Sequence, residues 1–159
     1  MKRGGYKTGS DVDLAEDVHP NFAKLGDRVR IRSGTILFGS QKYPLIIGND
    51  VYINAKCVIH GGSARIKIGN RVTLAVGVII HSDSGPNTSP MLQKTYPIVA
   101  KPVTIGDDVW IGDYAVIMPG VKIGKGSVVG AYSLVKTDVP PCTVVAGQPA
   151  QVIRTVCNK

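Results

Sequence analysis

Residues 103–135 read VTIGDDVWIGDYAVIMPGVKIGKGSVVGAYSLV, and within them Ile105, Ile111, Ile117, Ile123, Val129 and Val135 fall at every sixth position without a break. Upstream, Ile47, Ile53 and Ile59, then Ile68, Leu74 and Ile80, keep the same step, and Leu25, Ile31 and Leu37 mark an earlier turn of it. A second column, four residues after the aliphatic, is small or β-branched: Val51, Cys57, Val72, Val78, Val109, Ala115, Val121, Ser127 and Ser133. Glycine often follows the aliphatic directly, as at Gly48, Gly69, Gly106, Gly112, Gly124 and Gly130. A period of six matches neither a helix face nor simple strand alternation, and glycine in a helix interior costs about 1 kcal/mol per position. Short strands joined by turns satisfy both columns. Three such six-residue strands close one triangular coil, and stacked coils bury each column against its counterparts above and below. The pattern therefore predicts an all-β parallel β-helix of about five coils.

Composition agrees. Nineteen Gly and ten Pro beside 6% aromatic residues point to many tight turns between short aliphatic strands. In a chain of 159 residues this is one domain, expected to divide into an N-terminal cap over residues 1–24, the β-helix over 25–139, and a closing segment over 140–159. Pro140 and Pro141, which lack the N–H a strand ladder needs, open that closing segment. The formal charge of +8 admits nucleic acid, an anionic surface or a phosphorylated ligand. No basic helix, zinc spacing or aromatic platform accompanies it, which argues against nucleic acid. Three cysteines, Cys57, Cys142 and Cys157, with no CxxC pair suit a reducing compartment. There is no run of about 18 apolar residues, so no membrane span is expected and the expected location is cytoplasmic.

Function is expected where the repeat fails, because a regular solenoid offers few concavities. Ile59 to Ile68 spans nine residues instead of six, and Ile80 to Ile105 spans twenty-five, extruding a loop over residues 82–102. Met91, Leu92, Tyr96, Ile98 and Val99 in that loop predict an arm that packs, most naturally across a neighbouring subunit. Each interruption begins with a histidine: His60 follows Ile59 and His81 follows Ile80, so the two occupy the same position in successive coils. They should stack at one corner about 4.8 Å apart, which disfavours double protonation and keeps a neutral base available. Asp83 lies two residues on and can orient a ring. A reaction that draws a proton from a hydroxyl or amine needs such a base, and His81 is read as that base with His60 or Asp83 assisting. The competing role for either histidine is a hydrogen bond within a turn. His19 lies outside the repeats and is read as structural.

The segments IGDDVWIGDYAVIMPGVKIG (105–124) and AGQPAQVIR (146–154) closely resemble the hexapeptide-repeat acyltransferases, which include galactoside, maltose and xenobiotic acetyltransferases and many polysaccharide O-acetyltransferases. The likeness covers roughly residues 45 to 156. It implies a left-handed helix, a homotrimer with active sites between subunits, and acetyl-CoA as cosubstrate with no metal. YINAKCVI (52–59) is similar to a segment in which an Asn contacts the acceptor, which falls on Asn54. The family's catalytic histidine aligns with Gly85, deeper in the loop than His81. By position the resemblance places Trp110 beside the pantetheine and acceptor, and Asp113 and Ala131 on the pantetheine arm. Lys136, Thr137 and Arg154 then lie near the nucleotide and its phosphates, where cations make sense. For Asn54 and Asp113 a plain turn role stays open, and for the cations a solvated face.

The expected reaction is acetyl transfer from acetyl-CoA to a hydroxyl or amine of a sugar, nucleotide-sugar or surface glycan, with a xenobiotic O-acetyltransferase as the nearest alternative. A γ-type carbonic anhydrase shares the fold class but needs about three protein ligands for zinc, and His60 and His81 supply two.

Overall fold

The computed structural model describes residues 5–156, and within them the chain is a left-handed parallel β-helix with three faces. The first face stacks Lys7–Thr8, Ala23–Leu25, Leu45–Ile47, Ile66–Ile68, Val103–Ile105 and Lys122–Ile123. The second runs from Asp13–Leu14 through Arg30–Ile31, Tyr52–Ile53, Thr73–Leu74, Trp110–Ile111 and Val128–Val129 to Thr143–Gly147 and Ala150–Thr155. The third stacks Ile36–Phe38, Val58–His60, Ile79–His81, Val116–Ile117 and Leu134–Val135.

Every aliphatic of the six-residue column is buried at 5% exposure or less, and the small column lies beside it in the same core. Each side chain meets its own kind: Ile47 is in register with Ile68, and Ile68 with Ile105. Two members of the small column are serines, and both sit at the C-terminal end, where the core meets the closing segment. Ser127 Oγ donates to the Pro140 carbonyl (2.7 Å) and accepts from the Thr143 N–H, while Ser133 Oγ donates to the Gly130 carbonyl (2.7 Å) and accepts from the Gly147 N–H. Buried hydroxyls are thus paired, which removes the cost of their desolvation.

The corners explain the glycines and the Asx residues together. At the corner between the first and second faces, Asn49 Oδ1 accepts the Asp27 N–H, Asn70 Oδ1 the Asn49 N–H, and Asp107 Oδ1 the Asn70 N–H, each at 2.8 Å. Each side chain satisfies a turn N–H in the coil before it. A Cβ added to Gly48 would stand 2.6 Å from both Asn70 Oδ1 and the Gly69 carbonyl oxygen, so this ladder requires glycine there.

The structure departs from the sequence expectations at both ends. Lys7–Thr8 and Asp13–Leu14 pair in parallel with Ala23–Leu25 and Arg30–Ile31, so the segment read as a cap adds a coil of its own and the solenoid has about six. Beyond Pro140 and Pro141 the ladder resumes: Thr143–Gly147 pairs in parallel with Val128–Val129, and Ala150–Thr155 then folds back antiparallel along it. Cys57 is a free, buried thiol whose pKa burial pushes up to about 11. Cys142 is disulfide-bonded, so a reading of all the cysteines as reduced thiols does not hold, and Cys157 lies outside the described residues.

Candidate active site

The interruptions all fall at the corner between the third and first faces. Among the described residues three of them are insertions, because Leu37 to Ile47 also exceeds six residues, and Phe38 follows Leu37 as His60 follows Ile59. Strand register lines these residues up, with Phe38 opposite His60 and His60 opposite His81. The ladder holds through the corner, since the Ser82 N–H donates to the His60 carbonyl at 3.0 Å. The His60 ring stacks on Phe38 (centroids 4.9 Å, 8° between planes) and meets His81 at 5.7 Å, tilted by 32°.

Asp83 sits beside this column because the extruded loop leaves the solenoid as a hairpin. Asp83–Ser84 pairs antiparallel with Val99–Ala100, and the Lys101 N–H donates to the Ser82 carbonyl (2.9 Å), closing the base of the loop. Asp83 Oδ1 is 3.6 Å from His60 Nδ1, and Asp83 Oδ2 accepts from Ser63 Oγ. His60 Nδ1 is buried and has no hydrogen-bond partner among the described residues. Burial lowers the His81 pKa below the ordinary histidine value, the neighbouring His60 lowers it further, and Asp83 opposes the shift. His81 is therefore neutral at neutral pH, with a lone pair free to accept a proton.

These groups open on a cavity of about 410 Å³ that Gly85, Asn87, Ile98, Met118 and Pro119 also line. A second cavity of about 430 Å³ shares Ser84, Gly85, Met118 and Pro119 with it and extends past Tyr96 and Val99 to Lys136. Gly85, the position at which the resemblance leads us to expect the family's catalytic histidine, lines the same cavity as His81. The remainder of the loop carries one short helix, Pro90–Thr95, with Ser89 Oγ accepting the Leu92 N–H as its cap. Met91, Leu92, Tyr96, Ile98 and Val99 are exposed on this single chain.

The expected site residues divide into two groups. His60, His81, Asp83 and Lys136 gather at the third-to-first corner, with Thr137 next to Lys136 in sequence. Asn54, Trp110, Asp113, Ala131 and Arg154 belong instead to the second face or to its corner with the third. One chain does not bring Asn54 or Trp110 to the histidines, because the third face lies between Asn54 and His60. Asn54 Oδ1 accepts the Ala55 N–H (2.8 Å) and Asp113 Oδ1 the Val76 N–H (2.9 Å), so both make turn bonds. Trp110 is 55% exposed, and Tyr114 and Tyr132, also exposed, stack on each other at the adjoining corner (5.2 Å). Phe38, Ser63, Met118 and Pro119 belong to the site although their residue types did not mark them. The ten-residue step from Leu37 to Ile47 was the available signal for Phe38.

The chain is thus a triangular β-solenoid with six-residue repeats, a histidine pair at a broken corner and a long inserted loop beside it. The bacterial transferase hexapeptide family (six repeats) matches residues 102–137. Galactoside O-acetyltransferase of Escherichia coli (strain K12) is 36% identical over 152 residues, covering 94% of this chain and 72% of that protein. A chloramphenicol acetyltransferase of Escherichia coli is 40% identical over 108 residues, covering 67% of this chain and 51% of that protein. In fold, the chain is similar to a variant of AntD, an N-acyltransferase from Bacillus cereus in complex with dTDP and coenzyme A, with a TM-score of 0.85 at 23% identity over 96% of this chain and 86% of that one. The chain belongs to the hexapeptide-repeat acyltransferase family and is an acyltransferase. It spans about half the length of the chloramphenicol enzyme that it matches.

Proposed function

We propose that the chain transfers an acetyl group from acetyl-CoA to a hydroxyl or amine of a sugar, nucleotide-sugar or surface glycan, at the His60–His81 corner. The observation that carries this reading is a neutral, partly buried His81 beside His60 in a cavity able to admit an acceptor. His81 takes the acceptor proton as the acceptor oxygen or nitrogen attacks the thioester carbonyl carbon. The tetrahedral intermediate then collapses, the C–S bond breaks, and the coenzyme A thiolate leaves with the proton that His81 returns. The Phe38 and His81 rings hold His60 from either side, and Ser63 anchors Asp83 next to it.

The separation of the expected residues into two groups supports assembly as a homotrimer. If the second face of one subunit meets the third-to-first corner of the next, Asn54 and Trp110 reach the acceptor beside His81 of a neighbouring copy. Asp113, Ala131, Lys136, Thr137 and Arg154 then line the coenzyme A groove, and the exposed apolar residues of the loop and the Trp110, Tyr114 and Tyr132 surface become covered. No helix among the described residues is long and apolar enough to cross a membrane. A cytoplasmic location fits acetyl-CoA as cosubstrate. The similarity to a chloramphenicol acetyltransferase favours a second acceptor class, a xenobiotic hydroxyl. Release of free thiol from acetyl-CoA, followed against sugars, nucleotide-sugars, amino acids and antibiotics, tests both. Turnover with a glycan-type acceptor at least tenfold above the antibiotics supports the first reading, and the reverse order supports the second.

A further inference from the structure

The corner has a property that general base catalysis does not use. One donor atom each from His60, His81 and Asp83 lies within 4.8 Å of the others, so the loop hairpin supplies the third ligand that the two histidines lacked in the sequence. The 3.6 Å between His60 Nδ1 and Asp83 Oδ1 is too long for a hydrogen bond. Two ligands on one tetrahedral zinc, with bonds of about 2.0–2.2 Å, stand roughly 3.4 Å apart, which is close to the observed spacing. The ring nitrogen is buried and unpartnered among the described residues, an arrangement that is unfavourable unless something fills it. Ser63 holds the other carboxylate oxygen, the kind of outer hydrogen bond that orients a ligating group and leaves Oδ1 toward His60. Strand register fixes the two imidazoles relative to each other, and the cavity leaves room for a fourth ligand.

We propose that His60, His81 and Asp83 form a binding site for a divalent transition-metal ion, zinc foremost, and that occupancy switches acetyl transfer off. Two imidazoles and one carboxylate suit zinc or cobalt, whereas magnesium requires an oxygen-rich shell. A bound ion occupies the ring lone pair on which the base depends and blocks the cavity mouth to the acceptor. The binding half stands on geometry alone, while the inhibitory half rests on His81 as the base in the proposed function.

The test begins with chelator-treated protein titrated with zinc by calorimetry and with cobalt by visible absorption, which reports imidazole and carboxylate ligation without any turnover. One ion per chain is expected, with no saturable binding of magnesium. Asp83→Ala and His60→Ala should each weaken zinc binding at least tenfold. Ser63→Ala, which leaves every ligand in place, should weaken it several-fold and guards against loss through misfolding of the ligand variants. No saturable zinc binding, or binding unchanged in Asp83→Ala and Ser63→Ala, overturns the site. Thiol release measured on the same samples should fall at least tenfold with one equivalent of zinc and return on chelation. Binding without inhibition overturns the switch. A chelated protein inactive toward every acceptor refutes the proposed function instead, and the cobalt spectrum still decides the site.

Discussion

Ile68→Ala and Lys67→Ala, made separately, test whether the coils stack as described, since the two residues are adjacent on one strand and point to opposite sides. Ile68 is 1% exposed and lies between Ile47 and Ile105, while Lys67 faces solvent. Truncating Ile68 removes three carbons, about 2.4 kcal/mol at roughly 0.8 kcal/mol per buried methylene. The neighbouring coils are held by backbone ladders on either side and cannot collapse into the space, so a cavity contribution adds to this and the total should be about 3–4 kcal/mol. Lys67→Ala should stay within about 0.5 kcal/mol. Urea unfolding followed by circular dichroism, at one protein concentration because assembly adds to apparent stability, gives both values. A loss below about 1 kcal/mol for Ile68→Ala, or equal losses for the pair, would refute the stacked-column account.

Two further outcomes follow from the corners. Gly48→Ala forces a Cβ against backbone of the next coil, where no side chain can swing away, and should lower stability by more than the usual 1–3 kcal/mol of overpacking, read as the urea midpoint. For catalysis, a base with a lowered pKa keeps kcat/KM level below the ordinary histidine range and loses it only at lower pH. His60→Gln removes the neighbour that lowers the His81 pKa, so the acidic limb should move to higher pH, whereas Asp83→Asn removes an opposing influence and should move it lower. Limbs that stay put, or move the other way, would contradict the coupling.

Much of this molecule is legible in residue spacing because a solenoid repeats one local rule. Core positions such as Ile53 and Val109 recur at fixed steps, so the fold and most of the core emerge from periodicity alone. The His60 and His81 pairing was equally legible, since both end the same strand in successive coils. What escaped was contact made by chain that leaves the repeat. The hairpin that returns Asp83 to His60 depends on Val99 and Ala100, sixteen and seventeen residues farther along, and no periodic signal links them. Ser63 and Pro119 likewise enter the site through loop geometry. The first coil hid because Lys7 and Thr8 are exposed on their strand and carry no aliphatic mark.

His81→Ala, assayed by thiol release with a productive acceptor and checked for unchanged assembly and unfolding midpoint, tests the central claim most directly. Loss of a positioned general base should lower kcat by about 10²–10⁴ with little change in KM for acetyl-CoA. Turnover within about threefold of wild type would show that the proton is taken elsewhere and that this corner is not where acyl transfer occurs.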